Sequence, residues 1–313
     1  MKFIFLFIVL SVLCGAFASP SSEDDTPYPF TRVLEYNSNN PMNGTDVYIA
    51  QHLLNRWALK PNLNVTRVYD AATAKAVEAY KAYRNLDASN SRLTKEAAKA
   101  LLEEFTHDRF VYDGKSAAQY GKELGLDLKY LIYIPVYNNR SVETYAELRD
   151  KDNRFLMKFV ARTHGHTVPG EEEWPAFDNT VGLSQFVGNG NTPTGVALMD
   201  FNTREPESVE HLYGPYEVNR FVRGIEGNAK IILPHVRNGI LLHTGGWSKA
   251  GWQPPKPMPN SSGCVHSWPE DVKKIAEILK SLGVKANENP FGKLPYPYTP
   301  QGIVVVENVD RKN

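Results

Sequence analysis

Cysteine is scarce in this chain, and neither sign of charge is in excess. Only Cys14 and Cys264 occur among the 313 residues. Lys plus Arg and Asp plus Glu both number 35, which argues against nucleic acid or an anionic membrane as a partner held by bulk charge. Beyond the N-terminus no stretch reaches the about 18 apolar residues of a membrane span. The HExxH zinc-peptidase signature is also absent.

The N-terminus has the pattern of a secretory signal peptide over residues 1–18. Lys2 supplies the positive charge, residues 3–12 are apolar, and Ala-Phe-Ala at 16–18 offers small residues for cleavage. Cleavage would remove Cys14 and leave Cys264 as the one cysteine of the mature chain. We therefore predict a secreted protein, extracellular or in the periplasm or cell wall, without an integral membrane span.

The first half of the mature chain reads as a linker followed by helices. Residues 19–43 are rich in Ser, Asn, Pro and acidic residues, which predicts a linker. Residues 44–106 carry helical periodicity in three stretches: around Val47 to Leu54, from Asp70 or Thr73 to Tyr83, and from Thr94 to Leu102. Residues 107–125 are predicted to connect this small three-helix domain to the next.

Residues 126–309 predict a mainly β domain. Apolar and β-branched runs bounded by Gly, Pro and Asn indicate strands at 130–137, 155–161, 195–199, 230–233, 239–243 and 302–307. One helix follows Cys264, with Ser267 as its cap, Glu270 completing a capping box and Gly283 at its end. The predicted fold class is therefore α+β and multidomain.

The candidate catalytic residues lie between His243 and Cys264. Cysteine reacts as the thiolate, and a nearby imidazole is its usual activator. We predict Cys264 as nucleophile and His243 as its base, or as partner in a standing thiolate–imidazolium pair. Gly263 permits close backbone approach, so amides at 263 and 264 could face an oxyanion, and Ser261 could hydrogen-bond within the loop. The alternative is a buried or dimer-linking thiol.

This segment resembles the catalytic motif of the L,D-transpeptidases, the YkuD family. His243 is followed by 17 residues and then Ser261-Ser262-Gly263-Cys264, and Thr192-Pro193-Thr194-Gly195 matches a second family element. Ser262 and His266 replace the family's usual His and its Asn or Arg, which affects substrate anchoring. The resemblance implies a YkuD-like domain in which the Thr244 carbonyl orients His243.

The activity implied is a secreted cysteine acyltransferase on peptidoglycan stem peptides, working through a thioester and requiring no cofactor. With water as acceptor the same site would be a carboxypeptidase or endopeptidase. A non-catalytic wall-binding protein on the same scaffold is a further alternative, since Ser262 cannot act as an imidazole.

The helical stretch resembles the small peptidoglycan-binding domain. The matching residues are Val47, Gln51, Tyr69, Asp70, Thr73, Ala76 and Val77, while Tyr80 and Lys81 depart from the usual Phe and Gln. An unrelated three-helix bundle would show the same apolar spacing.

Two further features bear on the site. His164, His166 and His235 could supply imidazoles to zinc, but His-x-His is weak evidence alone, and we predict no metal. Sequons occur at Asn43, Asn64, Asn139 and Asn260, and a glycan on Asn260 would obstruct the site. The Trp- and Pro-rich residues 247–259 could form a lid or a packed surface loop.

Overall fold

The computed structural model describes residues 29–30, 32–57, 63–104, 110–165, 185–186, 188–248 and 254–310. The predicted signal peptide and residues 19–28 of the predicted linker lie outside these ranges. Within the ranges, no helix is both long and apolar enough to cross a bilayer. The architecture is α+β, with helices packed around a mainly antiparallel sheet.

The three predicted helices are confirmed as α1 (Thr45–Trp57), α2 (Ala71–Tyr83) and α3 (Lys95–Glu104). Asp70 is the N-cap of α2, where its side chain accepts a hydrogen bond from the Thr73 amide at 2.8 Å. Thr94 Oγ1 accepts from the Ala97 amide at 3.4 Å at the start of α3. Local capping chemistry therefore sets two of the helix starts.

The predicted linker and connector both contain ordered structure. Phe30 and Leu34 are fully buried against the helices, and Leu34 forms an antiparallel bridge with Leu93. Single apolar residues among polar ones give no periodic signal, so composition alone suggested a linker. The connector contains α4 (Ala117–Leu124), which begins with a capping box from Ser116.

The second part of the chain forms one eight-stranded sheet in the order β3-β2-β1-β8-β4-β5-β6-β7. Its strands are β1 (Tyr130–Val136), β2 (Thr144–Asp150), β3 (Phe155–Ala161), β4 (Gly195–Asn202), β5 (Val218–Glu226), β6 (Leu241–His243), β7 (Val265–His266) and β8 (Gly302–Asn308). The pairs β1–β8 and β6–β7 are parallel, and the others are antiparallel. A bridge between Arg162 and His266 brings the two terminal strands together.

Three helices interrupt the strand series: α5 (Glu210–Tyr213), α6 (Gly227–Ile232) and α7 (Pro269–Ser281). The predicted strand at 230–233 is wrong, because most of it is the end of α6. A short apolar run fits a buried helix as well as a strand. The prediction also missed β2, β5 and β7. In β5 the polar Asn219 and Arg220 are both buried and therefore hide the strand pattern.

The helix after the cysteine is confirmed, but its predicted cap is wrong. Trp268 occupies the N-cap position without a side-chain cap, and Pro269 starts α7. Ser267 Oγ instead donates to the Val160 carbonyl at 2.7 Å, so it ties α7 to the end of β3. Proline at the first helical position lacks an amide, so one of the groups without an intrahelical acceptor is removed here.

The sheet is covered on both faces. Alternate residues of β8 contribute to different clusters: Val304 and Val306 join the core shared with α1–α3, whereas Ile303 and Val305 pack with α4. This alternation is the period-two pattern of a strand buried on both sides. The edge formed by β6 and β7 carries the residues described next.

Candidate functional site

The parallel pairing of β6 with β7 brings His243 and Cys264 to one place. His243 pairs with His266 and Leu242 with Val265, so Cys264 lies one step further along the same ladder. Cys264 Sγ is 3.4 Å from the Leu241 amide and 3.7 Å from the Gly239 carbonyl oxygen. In this register Cys264 lies opposite Leu241, two steps along the ladder from His243, so the predicted nucleophile and base are diagonal neighbours on adjacent strands, about 7 Å apart at Cα.

The His243 ring is held in a defined tautomer. Its Nδ1 contacts the Thr244 carbonyl, which can only accept, so Nδ1 carries the proton. Nε2 is then the nitrogen with the lone pair, as a general base requires. The ring is 3% exposed, and this burial lowers its pKa from 6.5 to about 4 despite the opposing Thr244 bond, with Arg220 adding to the decrease.

A neutral His243 imidazole at neutral pH favours the general-base mechanism over the standing thiolate–imidazolium pair. It can accept the thiol proton during attack, whereas a standing imidazolium would have to overcome the burial that lowers its pKa. The ring lies between Tyr213 and His266, whose centroids are 5.1 and 4.8 Å away in edge-to-face contacts. These contacts fix the plane of the ring.

His266 is a second buried imidazole beside the first. Its Nδ1 donates to the Pro259 carbonyl at 2.9 Å, and its ring faces Trp247 at 5.9 Å. Trp247 also contacts Trp268 edge-to-face at 5.3 Å. The residue that departs from the family pattern is therefore packed between His243 and an aromatic pair.

Residues 261–264, here called the cysteine loop, form a tight turn. Ser261 Oγ accepts from the Gly263 amide at 3.0 Å and donates to the Cys264 carbonyl at 2.7 Å. Gly263 has φ +95°, which favours glycine. Ser261 thus bonds within the loop as predicted. Because the Gly263 amide is engaged there, it would have to exchange this partner to bind an oxyanion, and that role stays a prediction.

Two buried side chains hold the cysteine loop from beneath. Thr192, from the Thr-Pro-Thr-Gly element, is fully buried, with Oγ1 3.0 Å from the Gly263 carbonyl and 3.4 Å from that of Cys264. Arg237 is 5% exposed and donates to the Ser262 carbonyl at 3.0 Å, while the Ser262 residue itself is exposed. Thr192 belongs to a motif that the sequence singled out, whereas Arg237 was missed, because one arginine between α6 and β6 gives no periodic signal.

Of the residues of the zinc alternative, the two that the structure describes, His164 and His235, have different surroundings. His164 is buried with Nδ1 against the Gly165 carbonyl, whereas His235 lies against Tyr48 and within 3.5 Å of Arg67 Nη2. His166 lies outside the described residues. Across the described ranges, no group of three His, Cys, Asp or Glu side chains is arranged to hold a metal ion.

The asparagine of the sequon next to the site is buried. Asn260 is 2% exposed, and its Oδ1 accepts from Arg162 Nε at 3.0 Å and Nη2 at 2.7 Å. A glycan on its Nδ2 could not be accommodated in this fold, so the folded chain has none at Asn260. Asn43 and Asn64 are exposed, and Asn139 is half-buried.

The predicted lid segment is described only in part. Residues 249–253 lie outside the described ranges. On one side of them Trp247 packs on His266, and on the other residues 254–256 are exposed before Met258, which is buried. The Met258 amide donates to the Glu143 carboxylate. The end of the segment nearest Cys264 is therefore packed rather than loose.

Comparison with protein-family models gives no match, and no curated protein matches the chain.

Proposed function

We propose that this chain is a cysteine acyltransferase of the L,D-transpeptidase type, acting on peptidoglycan stem peptides. The observation that carries the proposal is the β6–β7 ladder, which places a half-buried thiol and a His243 ring whose Nδ1 is tied to the Thr244 carbonyl on neighbouring strands. The motif residues that suggested the family thus lie on adjacent strands, which supports the proposal that His243 activates Cys264.

In the first half-reaction, Cys264 Sγ attacks the carbonyl that follows an L-centre in the stem. His243 Nε2 takes the thiol proton as the C–S bond forms, and then gives it to the departing amine of the terminal D-residue. The product is a thioester on Cys264. In the second half-reaction an amine of another stem attacks the thioester, its proton passes to His243, and the thiol is restored.

Incubation with a defined tetrapeptide stem, followed by mass analysis, tests the activity. A cross-linked dimer is expected, and a trimmed tripeptide would instead assign water as the acceptor. Cys264→Ala and His243→Ala should abolish either product, and chelators should have no effect. Absence of any product from the wild-type chain would contradict the proposal.

We also propose that α1–α3 form a peptidoglycan-binding-like module attached to a YkuD-like domain. The family's glutamine, Gln51, is fully buried and ties α1 to the next segment: its Nε2 donates to the Val68 carbonyl and Thr73 Oγ1, each at 3.0 Å, and its Oε1 accepts from the Arg67 amide at 3.0 Å. Two matching positions, Gln51 and Thr73, thus meet in one hydrogen-bonded network.

Co-sedimentation with insoluble peptidoglycan tests this assignment, using the Cys264→Ala chain so that no covalent intermediate forms. Binding that persists in this variant and is competed by soluble wall fragments is expected. Equal recovery with cellulose would contradict it.

A further inference from the structure

A pocket of about 440 Å³ lies where the helical part of the chain meets the segment between α6 and β6. Neither His243 nor Cys264 is among the described residues that line it. Ligand sites are commonly clefts of about 300–1,000 Å³ at junctions between structural units, with apolar walls and a few polar groups. This pocket has that size and that mixture, because its lining includes Arg32, Thr45, Asp46, Ile49, His235 and Val236.

An ion pair at the start of α1 forms one polar wall of the pocket. Asp46 is 8% exposed and accepts from Arg32 Nε at 2.8 Å, from Arg32 Nη2 at 3.3 Å and from the Val47 amide at 2.9 Å. Arg32 Nη2 also donates to the Asn43 carbonyl at 2.6 Å. These bonds fix both side chains, while Arg32 Nη1 has no hydrogen-bond partner in the part of the chain that the structure describes. The wall therefore combines N–H donors with a carboxylate whose charge the guanidinium balances.

His235 adds a neutral imidazole from the segment between α6 and β6. Its Nδ1 is 3.5 Å from Arg67 Nη2, and its ring contacts that of Tyr48 edge-to-face at 5.1 Å. Burial and the Arg67 charge lower the pKa of His235, so the ring is uncharged at neutral pH. Because a guanidinium only donates, Nδ1 keeps the lone pair and Nε2 carries the proton. The pocket thus has polar groups from both parts of the chain, apolar surface from Ile49 and Val236, and lining charges that cancel.

We propose that this pocket binds a neutral saccharide unit of a glycan chain. Each sugar hydroxyl can donate and accept, so it can pair with the Asp46 carboxylate and with the N–H groups of Arg32 and His235 at the same time. An ionic ligand gains little attraction from lining groups whose charges cancel. The inference rests on the proposed peptidoglycan-binding-like module and deepens it, because it names the glycan as the ligand and includes a residue outside α1–α3 in the site.

Isothermal titration of the mature Cys264→Ala chain with the disaccharide of N-acetylglucosamine tests the site. Saturable binding is expected. Arg32→Ala and His235→Ala should each weaken the affinity about tenfold, because each variant removes hydrogen bonds to the sugar. Both positions are exposed, so both variants should fold, and urea unfolding checks this.

Two matched variants control for the loss of an arginine or a histidine elsewhere. Arg204→Ala removes an exposed arginine that pairs with Glu207, and His211→Ala removes an exposed histidine on α5. Neither should change the affinity for the disaccharide. Affinity that is the same in wild type, Arg32→Ala and His235→Ala would place the sugar elsewhere and overturn the inference. Binding of inorganic phosphate or acetate in place of the disaccharide would overturn it as well, and would indicate an anion site beside Arg67.

The outcome is separable from that of the proposed function. If insoluble peptidoglycan retains the chain but the disaccharide does not bind, the module proposal stands and the inference about the pocket is overturned. If the disaccharide binds and His235→Ala weakens it, but the chain does not sediment with peptidoglycan, the pocket remains a saccharide site and the module proposal fails.

Discussion

Burial of the His243 imidazole should make folding stability depend on pH between about 4 and 6.5. The pKa of this ring is lowered to about 4 in the folded chain, against 6.5 for an exposed histidine. Between these values the unfolded chain binds a proton that the folded chain does not bind. Stability from this group is therefore present above the unfolded pKa and is lost as the pH falls toward the folded pKa.

The size of the effect follows from the two pKa values. One proton of difference corresponds to about 1.4 kcal/mol per pH unit, and integration from pH 7 to pH 5 gives a loss of about 2 kcal/mol. Because the ring is 3% exposed, solvent screening reduces this little. Burial raises the pKa of carboxyls such as Asp200, and these groups make the fold more stable as the pH falls. The contribution of His243 therefore has to be obtained as the difference between wild type and a variant without this ring.

Urea unfolding of wild type and His243→Asn across this pH range isolates it. Asn can keep a donor near the Nδ1 position, so the Thr244 carbonyl retains its bond while the titrating group is removed. The difference in unfolding free energy between the two chains should change by about 2 kcal/mol between pH 7 and pH 5. His211→Asn, at an exposed position on α5, is the matched control.

A difference between wild type and His243→Asn that stays constant with pH would refute this reasoning. It would mean that the ring is solvated, whereas a ring already protonated beside a thiolate would make the difference change in the opposite direction. In the second case the standing ion pair, and not a neutral base, would be the resting state of the site. Alkylation of Cys264 would then have a plateau extending below pH 6.

Three further predictions concern the residues around the site. Gly263→Ala should destabilise the fold by considerably more than Gly114→Ala, for which a loss of about 1–2 kcal/mol is expected. Both glycines have positive φ, but only at Gly263 would the new side chain meet a guanidinium. Equal losses of unfolding free energy in urea would contradict this. Thr192→Val should lower the free energy of unfolding by about 1–3 kcal/mol and slow alkylation of Cys264, because the hydroxyl bond to the cysteine loop is lost. Thr192→Ser should restore both. A valine variant with unchanged stability and alkylation rate would show that the hydroxyl bonds are dispensable. Ser267→Ala should lower the free energy of unfolding by about 1 kcal/mol, because its bond to a strand carbonyl is lost. Glu270→Ala should change the free energy of unfolding by less than about 0.5 kcal/mol, because the structure has no capping box here. A larger effect of Glu270→Ala would indicate that the predicted capping box forms after all.

Local patterns were enough to predict α1–α3, α7 and most of the strands. Apolar residues spaced for one helix face, and caps such as Asp70, act within a few residues, so the sequence carries their signal directly. The same patterns misread residues 230–233 and missed β5. There the outcome depends on burial of Arg220 beside Glu205 and on packing of α6, which are contacts between distant segments.

Taken alone, the sequence supplied the candidate residues: the thiol of Cys264, a histidine before it, and a glycine beside it. Only the tertiary structure decided that Asn260 is buried and that Thr192 and Arg237 hydrogen-bond to the cysteine loop. These relations depend on hydrogen bonds between residues distant along the chain and on the exclusion of water around them. No spacing in the primary structure encodes either one directly.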